Sequence, residues 1–349
     1  MIVRTLPGRA YTDPTRLRVE IDRVLRPTWQ CIGRADELSA PGDFLTLTVF
    51  DEPIIVVRGD DGALRALSNV CRHRGMRVVE GTGTAATFTC PYHAWSYAPD
   101  GVLRTAPFTA PDAVAGCRLP SWPLEVDEYG FVHVAVVEDP LPRATMSALD
   151  AELRPFGTGD MVFRHVETEV WACNWKVMIE NFMEGSHLSV VHQTTLHPLT
   201  PTRLASKGPA DGGFTSYFSA FPEGVRSTTP GEPGLDDLQR GRSFLYQRFP
   251  NHVACQNATF LATFLVLPLA VDRTFIRWSV SAYRECPDDI VESTIALWRE
   301  INGEDRAVLE RLQQNLNAPS AQAYAGPLAD HDREGTIADF HRHLAAFDL

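Results

Sequence analysis

Cys71-Arg72-His73 and Cys90-Pro91-Tyr92-His93 are two short half-motifs separated by sixteen residues. Each half offers one thiolate and one imidazole, so together they bring two sulfur and two nitrogen ligands to one compact centre. In a Rieske [2Fe-2S] cluster one iron takes both thiolates and the other both imidazoles, which raises the reduction potential well above that of an all-cysteine cluster. A four-coordinate zinc site of two Cys and two His is the competing chemistry, but zinc fingers and ribbons usually keep their cysteines together in a CxxC half. Here each half is mixed, which favours the iron–sulfur reading.

A second constellation lies about a hundred residues downstream, in Asn174-Trp175-Lys176-Val177-Met178-Ile179-Glu180-Asn181-Phe182-Met183-Glu184-Gly185-Ser186-His187, with His192 following. Two histidines and a distant carboxylate form the facial triad of a mononuclear non-haem iron(II) site, which leaves positions open for O₂ and substrate. Histidines five residues apart on a regular helix point about 140° away from each other, so the spacing predicts a π-bulge or a helix end between them. The H-E-x-x-H pattern of zinc proteases is absent.

Two kinds of element must position these groups. Leu17, Val19, Ile21 and Val24-Leu25 have helical spacing after an Asp13-Pro14 start. Strand signals follow in Phe44 to Phe50, Pro53 to Arg58, Ala86 to Thr89 and Gly130 to Val136, with Asp61-Gly62 and Asp100-Gly101 as turns. Pro140 and Pro142 mark a linker. Beyond it a strand is expected over Val162 to Val170, a largely helical stretch from Asn174 to about His192, and strands from Ser243 to Glu285. Helices are expected near 287 to 315 and 331 to 347. Residues 205 to 240, rich in Gly and Pro, read as a loop of the lid or pocket-wall kind. The expected fold class is α+β: an N-terminal segment over 1–35, a small antiparallel β domain over 36–140 bearing both cluster loops, and a second domain over 141–349 with an antiparallel sheet and helices.

The order and separation of CxH-x16-CxxH and Glu-x2-His-x4-His resemble the catalytic α subunits of Rieske non-haem iron oxygenases over nearly the whole chain. The resemblance implies a helix-grip-like catalytic domain, with Cys71, His73, Cys90 and His93 holding the cluster and His187 and His192 holding the iron. It puts the third iron ligand in the C-terminal helical region, at the head of a helix. Asp305 is the choice and Glu304 the runner-up, the latter alternatively a helix-start charge. Glu310 and Gln313 match further positions of that helix. Glu184 stands where the family has an acidic residue bridging an iron histidine and a Rieske histidine, here His93, of a neighbouring subunit. Asn181 lies near the iron in the matched motif. Most relatives carry Asp at the bridging position; Glu resembles the branch of α-only trimers that oxidises quaternary amines such as carnitine. Ser186 departs from the Tyr that many relatives have before the first iron histidine.

The resemblance also implies the reaction: O₂-dependent hydroxylation or oxidative demethylation of a small organic substrate by a homotrimer without a β subunit. A Gly-rich dinucleotide fingerprint after a strand is lacking, so NAD(P)H electrons are expected to come through a flavin-dependent reductase or a ferredoxin. An aromatic-ring hydroxylating dioxygenase is the alternative within the family. From a different class, the chain is a Rieske electron carrier that keeps only the cluster.

Composition sets the bounds. The chain has 349 residues, 44% hydrophobic content, 22% charge and a net charge of −12, which describes a water-soluble protein of about two domains and excludes nucleic acid as a natural partner. Arg72, Arg74 and Arg77 form a local exception, suited to an acidic electron donor or to anchoring the loop. The N-terminus lacks the order of a secretory leader, and no apolar run is long enough to span a membrane, so the cytoplasm is the expected compartment. Seven cysteines argue against a disulfide framework; Cys31, Cys117, Cys173, Cys255 and Cys286 read as buried apolar residues. Tyr92 and Trp95 are expected to wall the cluster from water, Trp175 to be core and Lys176 a helix-face charge. Phe260, Phe264, Leu265 and Trp278 read as sheet core or pocket lining.

Overall fold

The computed structural model describes residues 3–227 and 231–347. The chain divides into two compact units, Arg26–Leu141 and a discontinuous one made of Met1–Leu25 and Pro142–Leu349. The first begins earlier than the expected 36, because Gln30–Arg34 is a strand paired with Phe131–Val134.

In the Arg26–Leu141 unit, a five-stranded antiparallel sheet runs in the order Thr82–Thr84, Asp43–Val49, Glu52–Arg58, Leu64–Ser68 and Ser121–Trp122. Ile54, Ile55, Val56 and Val57 are all fully buried, so this central strand packs on both faces and its β-branched side chains suit that place. A smaller three-stranded sheet of Phe88–Thr89, Ser96–Tyr97 and Leu103–Thr105 carries the second cluster loop between its first two strands. Cys71 and Cys90 lie in the core with Phe44, Phe88, Trp95 and Tyr97.

In the other unit, a seven-stranded antiparallel sheet runs Val162–Trp171, Arg273–Ala282, Phe260–Ala270, His252–Gln256, Arg242–Arg248, Phe214–Ala220 and Ala205–Lys207. The last two strands and a short helix, Asp237–Arg240, occupy the stretch expected to be a loop. In Phe214–Ala220 burial is nearly continuous instead of alternating, so the strand shows no two-residue polar period in the sequence. Two helices lie near the expected positions, Asp288–Leu316 and His331–Ala345. On the second, Asp339 meets Lys207 Nζ at 2.8 Å and accepts from Thr215 Oγ1 at 2.7 Å, which ties the helix to the sheet edge.

The N-terminal segment belongs to this unit. Asp13 caps the helix Pro14–Glu20 by accepting from Thr15 N, and a π-helical turn over Ile21–Leu25 follows. Glu20 is completely buried and receives Lys176 Nζ at 2.7 Å and Trp175 Nε1 at 3.0 Å. Lys176 is therefore no surface charge: it is wholly buried, and burial outweighs Glu20 in lowering its pKa. Trp175 is core.

Candidate functional site

Both cluster loops are turns pivoting on their cysteine. Gly75 N donates to Cys71 O at 2.9 Å and Cys71 N to Met76 O at 2.8 Å; likewise Ala94 N donates to Cys90 O at 3.1 Å and Cys90 N to Trp95 O at 2.8 Å. Gly75 has φ +75°, a conformation in which glycine escapes the cost of a side chain. Buried Asn69 braces the base of the first loop: its Oδ1 accepts from Val78 N at 2.9 Å and Val79 N at 3.1 Å, and its Nδ2 donates to Val79 O at 2.7 Å. The cysteines sit inside and the histidines toward the surface. The His73 and His93 rings are 4.5 Å apart between centroids, close enough to serve one centre.

Trp95 is buried and stacks on His73 at 5.0 Å and 7°, forming the expected wall. Tyr92 covers the other imidazole, its ring 3.8 Å from that of His93, but it remains 54% exposed, with Arg74 over its ring at 5.4 Å. Arg77 donates to Thr48 Oγ1 at 2.9 Å, while Arg72 is exposed beside the same rim. Tyr97, which sequence reasoning passed over, places its hydroxyl 3.3 Å from Cys71 Sγ and accepts from Arg72 N at 3.0 Å. Burial first, and then the Cys71 thiol, pushes its pKa upward, so it stays a protonated phenol.

In the other unit, Asn174 caps the helix Trp175–Phe182 by accepting from Lys176 N. This helix stops short of the expected continuous run. A separate turn, Leu188–Val191, follows, with His187 and His192 at its two ends. The helix end thus does what the spacing required, and the imidazole centroids are 5.1 Å apart. Gly185 sits at the break, where a Cβ would lie 2.5 Å from the Ala205 side chain, so only glycine fits.

His187, His192 and Asp305 each present one atom within 4.8 Å of the others. Asp305 Oδ1 is 3.6 Å from His187 Nε2 and 3.1 Å from His192 Nε2. Asp305 and Glu304 lie in the middle of the helix Asp288–Leu316, not at its head, so the helix-start role for Glu304 is ruled out. Glu304 instead faces His192 Nδ1 at 2.7 Å and accepts from Thr195 Oγ1 at 2.6 Å. Glu184 does the same for the other ring, with Oε1 at 2.5 Å from His187 Nδ1, and its Oε2 accepts from Ser186 N. Asn181 Nδ2 donates to Asp305 Oδ1 at 3.1 Å and lies 3.2 Å from His187 Nε2. Glu310 accepts from Ala172 N at 3.0 Å and Gln313 from Asn174 N at 2.9 Å, fastening the long helix to the start of the histidine-bearing segment.

The donor set fits a divalent metal. Both Nδ1 atoms are held by carboxylates, which fixes the tautomer and turns Nε2 toward Asp305. His192 Nε2 is buried and makes no aligned hydrogen bond, an orphaned polar atom of the kind a metal satisfies. Burial lowers the affinity of both imidazoles for protons, but the surrounding carboxylates prevail and the net shift is upward. Phe264, Leu265 and Trp278 are core residues, while Phe260 and Trp298 line a cavity whose wall also includes Leu188, the residue after His187, and Ile301 on the helix of Asp305.

A mixed Cys/His β unit and a helix-covered antiparallel sheet bearing two histidines and a carboxylate define an iron-dependent oxygenase subunit. Residues 28–123 match the Rieske [2Fe-2S] domain, and residues 156–347 match the catalytic domain of the ring-hydroxylating alpha subunit. The chain belongs to this family of Rieske non-haem iron oxygenases, O₂-dependent oxidoreductases that use a [2Fe-2S] cluster and a mononuclear iron. It is 34% identical to the glycine betaine monooxygenase oxygenase subunit of Chromohalobacter salexigens, over 91% of this chain and 80% of that protein. Against the carnitine monooxygenase oxygenase subunit of Escherichia coli K12 it is 27% identical, over 98% and 93%. Its fold matches a quaternary ammonium Rieske monooxygenase with a TM-score of 0.85 at 23% identity, covering 100% of this chain and 96% of the other. It also matches naphthalene 1,2-dioxygenase from Rhodococcus sp. with a TM-score of 0.81 at 18% identity, over 98% and 94%. Among the described residues no helix is long and apolar enough to cross a membrane.

Proposed function

We propose that this chain is the oxygenase component of a system in which a separate reductase supplies electrons for oxidation of a small organic substrate. Cys71, His73, Cys90 and His93 hold the cluster, and His187, His192 and Asp305 hold the iron. When bound, the cluster supplies one-electron transfer and the iron supplies O₂ activation. Glu184 and Glu304 orient the two imidazoles, and Asn181 Nδ2 donates to Asp305 Oδ1, the oxygen that faces both of them. The observation that carries this reading is the convergence of His187, His192 and Asp305 within 4.8 Å, with each histidine's Nδ1 on its own glutamate.

The functional unit is a homotrimer in which Glu184 meets His93 of a neighbouring copy and completes the electron path. Two observations support it: the exposed rim of Arg72, His73 and Arg74, and the inter-subunit electron transfer described for the 23% identical quaternary ammonium monooxygenase. The electron donor is a flavin-dependent reductase or a ferredoxin. The free state of all the cysteines fits the reducing cytoplasm as its compartment.

Iron content is the direct test. About three irons per chain, falling to about two in His187→Ala with the cluster spectrum intact, supports the oxygenase. About two irons that do not change would leave an electron carrier.

A further inference from the structure

A cavity of about 110 Å³ lies against the seven-stranded sheet. His187, His192 and Asp305 are not part of its wall, but Tyr217 and Leu188 are, and these two reach the iron-binding segment. At Gly185, two residues before His187, a Cβ would lie 3.9 Å from each of them. Tyr217 is buried and donates to Phe182 O at 3.4 Å. Burial first, then Glu184, Cys255 and Asp305, push its pKa up, so it remains a protonated phenol within electrostatic reach of both carboxylates. The Tyr217 end of the cavity is therefore the end nearer the metal site.

Along the sheet the wall changes character. Alternate residues of a strand share a face, so Tyr217, Ser219 and half-buried Phe221 follow one another on one side of the cavity. Tyr217 pairs with Leu245 and Leu245 with Cys255, a mainly apolar row. Ser219 pairs with Ser243, whose Oγ accepts from Asn257 Nδ2 at 3.5 Å, a polar row. The polar row stands about 7 Å beyond Tyr217, two residues at the rise of a β-strand.

Trp298 meets this polar row from the helix side. It precedes Asp305 by two turns on one face of Asp288–Leu316, with Ile301 between them, which sets it about 10 Å from Asp305 along the axis. Its ring packs edge-on against Phe260 at 6.0 Å and 89°, and Phe260 N donates to Asn257 Oδ1 at 3.0 Å. Two groups at this end lack partners. Ser219 and Trp298 are only 2% and 7% exposed, yet Ser219 Oγ and Trp298 Nε1 make no hydrogen bond among the described residues. Buried donors left unpaired are costly, and an acceptor oxygen on a ligand satisfies them. Among the described residues the wall holds no Asp, Glu, Lys, Arg or His, so an acceptor on a neutral group suits it better than a carboxylate.

We propose that Ser219 and Trp298 are the specificity-determining pair of this chain: they hold the carbonyl oxygen of a neutral ketone, amide or ester at the end of the cavity remote from the metal. The carbon that is oxidised then lies at the opposite, apolar end of the molecule, beside Tyr217 and Leu188. The inference rests on the oxygenase reading above, because it takes the cavity to be the substrate site.

Anaerobic isothermal titration of the intact, iron-loaded protein reads binding apart from turnover. Cyclohexanone and methylenecyclohexane share a shape and differ in the acceptor oxygen. The ketone is expected to bind at least about tenfold more tightly. Ser219→Ala and Trp298→Phe, checked for folding by circular dichroism, should each narrow that gap several-fold by weakening the ketone alone, whereas a packing role would weaken both ligands together. Equal binding of the two by the wild type overturns the proposal, as does a gap that survives in either variant. Glycine betaine binding more tightly than the ketone, or saturable binding by neither cyclic probe, overturns it too. Failure of the oxygenase reading shows elsewhere, as two irons per chain, and leaves the ketone preference measurable.

Discussion

His192 is gripped from both sides of its ring: Nδ1 lies 2.7 Å from Glu304 Oε2, while Nε2 lies 3.1 Å from Asp305 Oδ1. Two consecutive acidic residues on one helix thus take different roles. The first sets the ring's orientation and the second is the proposed third ligand of the iron.

Removing the first should therefore weaken the second without destroying it. Glu304→Ala is expected to lower Fe(II) affinity about ten- to hundredfold, the usual consequence of losing a carboxylate behind a metal-bound histidine. Fe(II) titration measures it, with an unchanged cluster spectrum as the control. Asp305→Ala should abolish binding at this site outright. Equal effects of the two would show that the roles are not divided.

Glu184 carries a heavier prediction. Because it also orients His187, Glu184→Ala should lower iron affinity, so the variant has to be assayed at saturating Fe(II). There, with both centres filled, single turnover should still be lost, since the carboxylate proposed to link His187 to His93 of a neighbouring copy is gone. Turnover near the wild-type rate under those conditions would dismiss the bridging role.

Tyr97→Phe removes the hydroxyl 3.3 Å from Cys71 Sγ while keeping the buried ring. Hydrogen bonds to the sulfurs raise a cluster's reduction potential. The midpoint potential should therefore fall, with cluster content unchanged, in a redox titration followed by visible absorbance. A higher potential in the variant would contradict this role.

Acid stability has one identifiable contributor at the sheet edge. Burial pushes the Asp339 carboxyl up, but Lys207, Thr215 and Arg342 outweigh it and hold the group below its ordinary value of 3.8. Its folded pKa is depressed, so its contribution is fully present above the unfolded value and is lost as pH falls through the lower, folded one. Asp339→Asn should cost about 1–3 kcal/mol near pH 6, and the gap from wild type should close below pH ~4. Urea midpoints across that range measure it.

Much of this was legible in advance. The mixed Cys/His halves and the five-residue histidine spacing were visible because ligand chemistry tolerates few substitutes, and the spacing alone required a π-bulge or a helix end between the two histidines, which the end of Leu188–Val191 at His192 supplies. Asp305 could be chosen only through resemblance, since it is distant in sequence and a carboxylate in a charged helix carries no mark of its own. Glu304 and Lys176 were misread for one reason. Each is a charge whose partner lies more than a hundred residues away, and helical periodicity cannot show a pairing at that range. The strand Phe214–Ala220 was hidden because nearly continuous burial erases alternation. Tyr92 meets its expectation in part: its ring lies 3.8 Å from that of His93, but it also stays 54% exposed at the surface.

The unit that contains His187 and His192 is interrupted in the chain by the whole of Arg26–Leu141. A fragment starting at Pro142 would lack Glu20, leaving the buried ammonium of Lys176 without its ion-pair partner two residues past the cap of the histidine-bearing segment. Efforts to express the oxygen-handling half by itself should therefore fail unless the first 25 residues are spliced back on, and the ribosome must release both ends before that half can close.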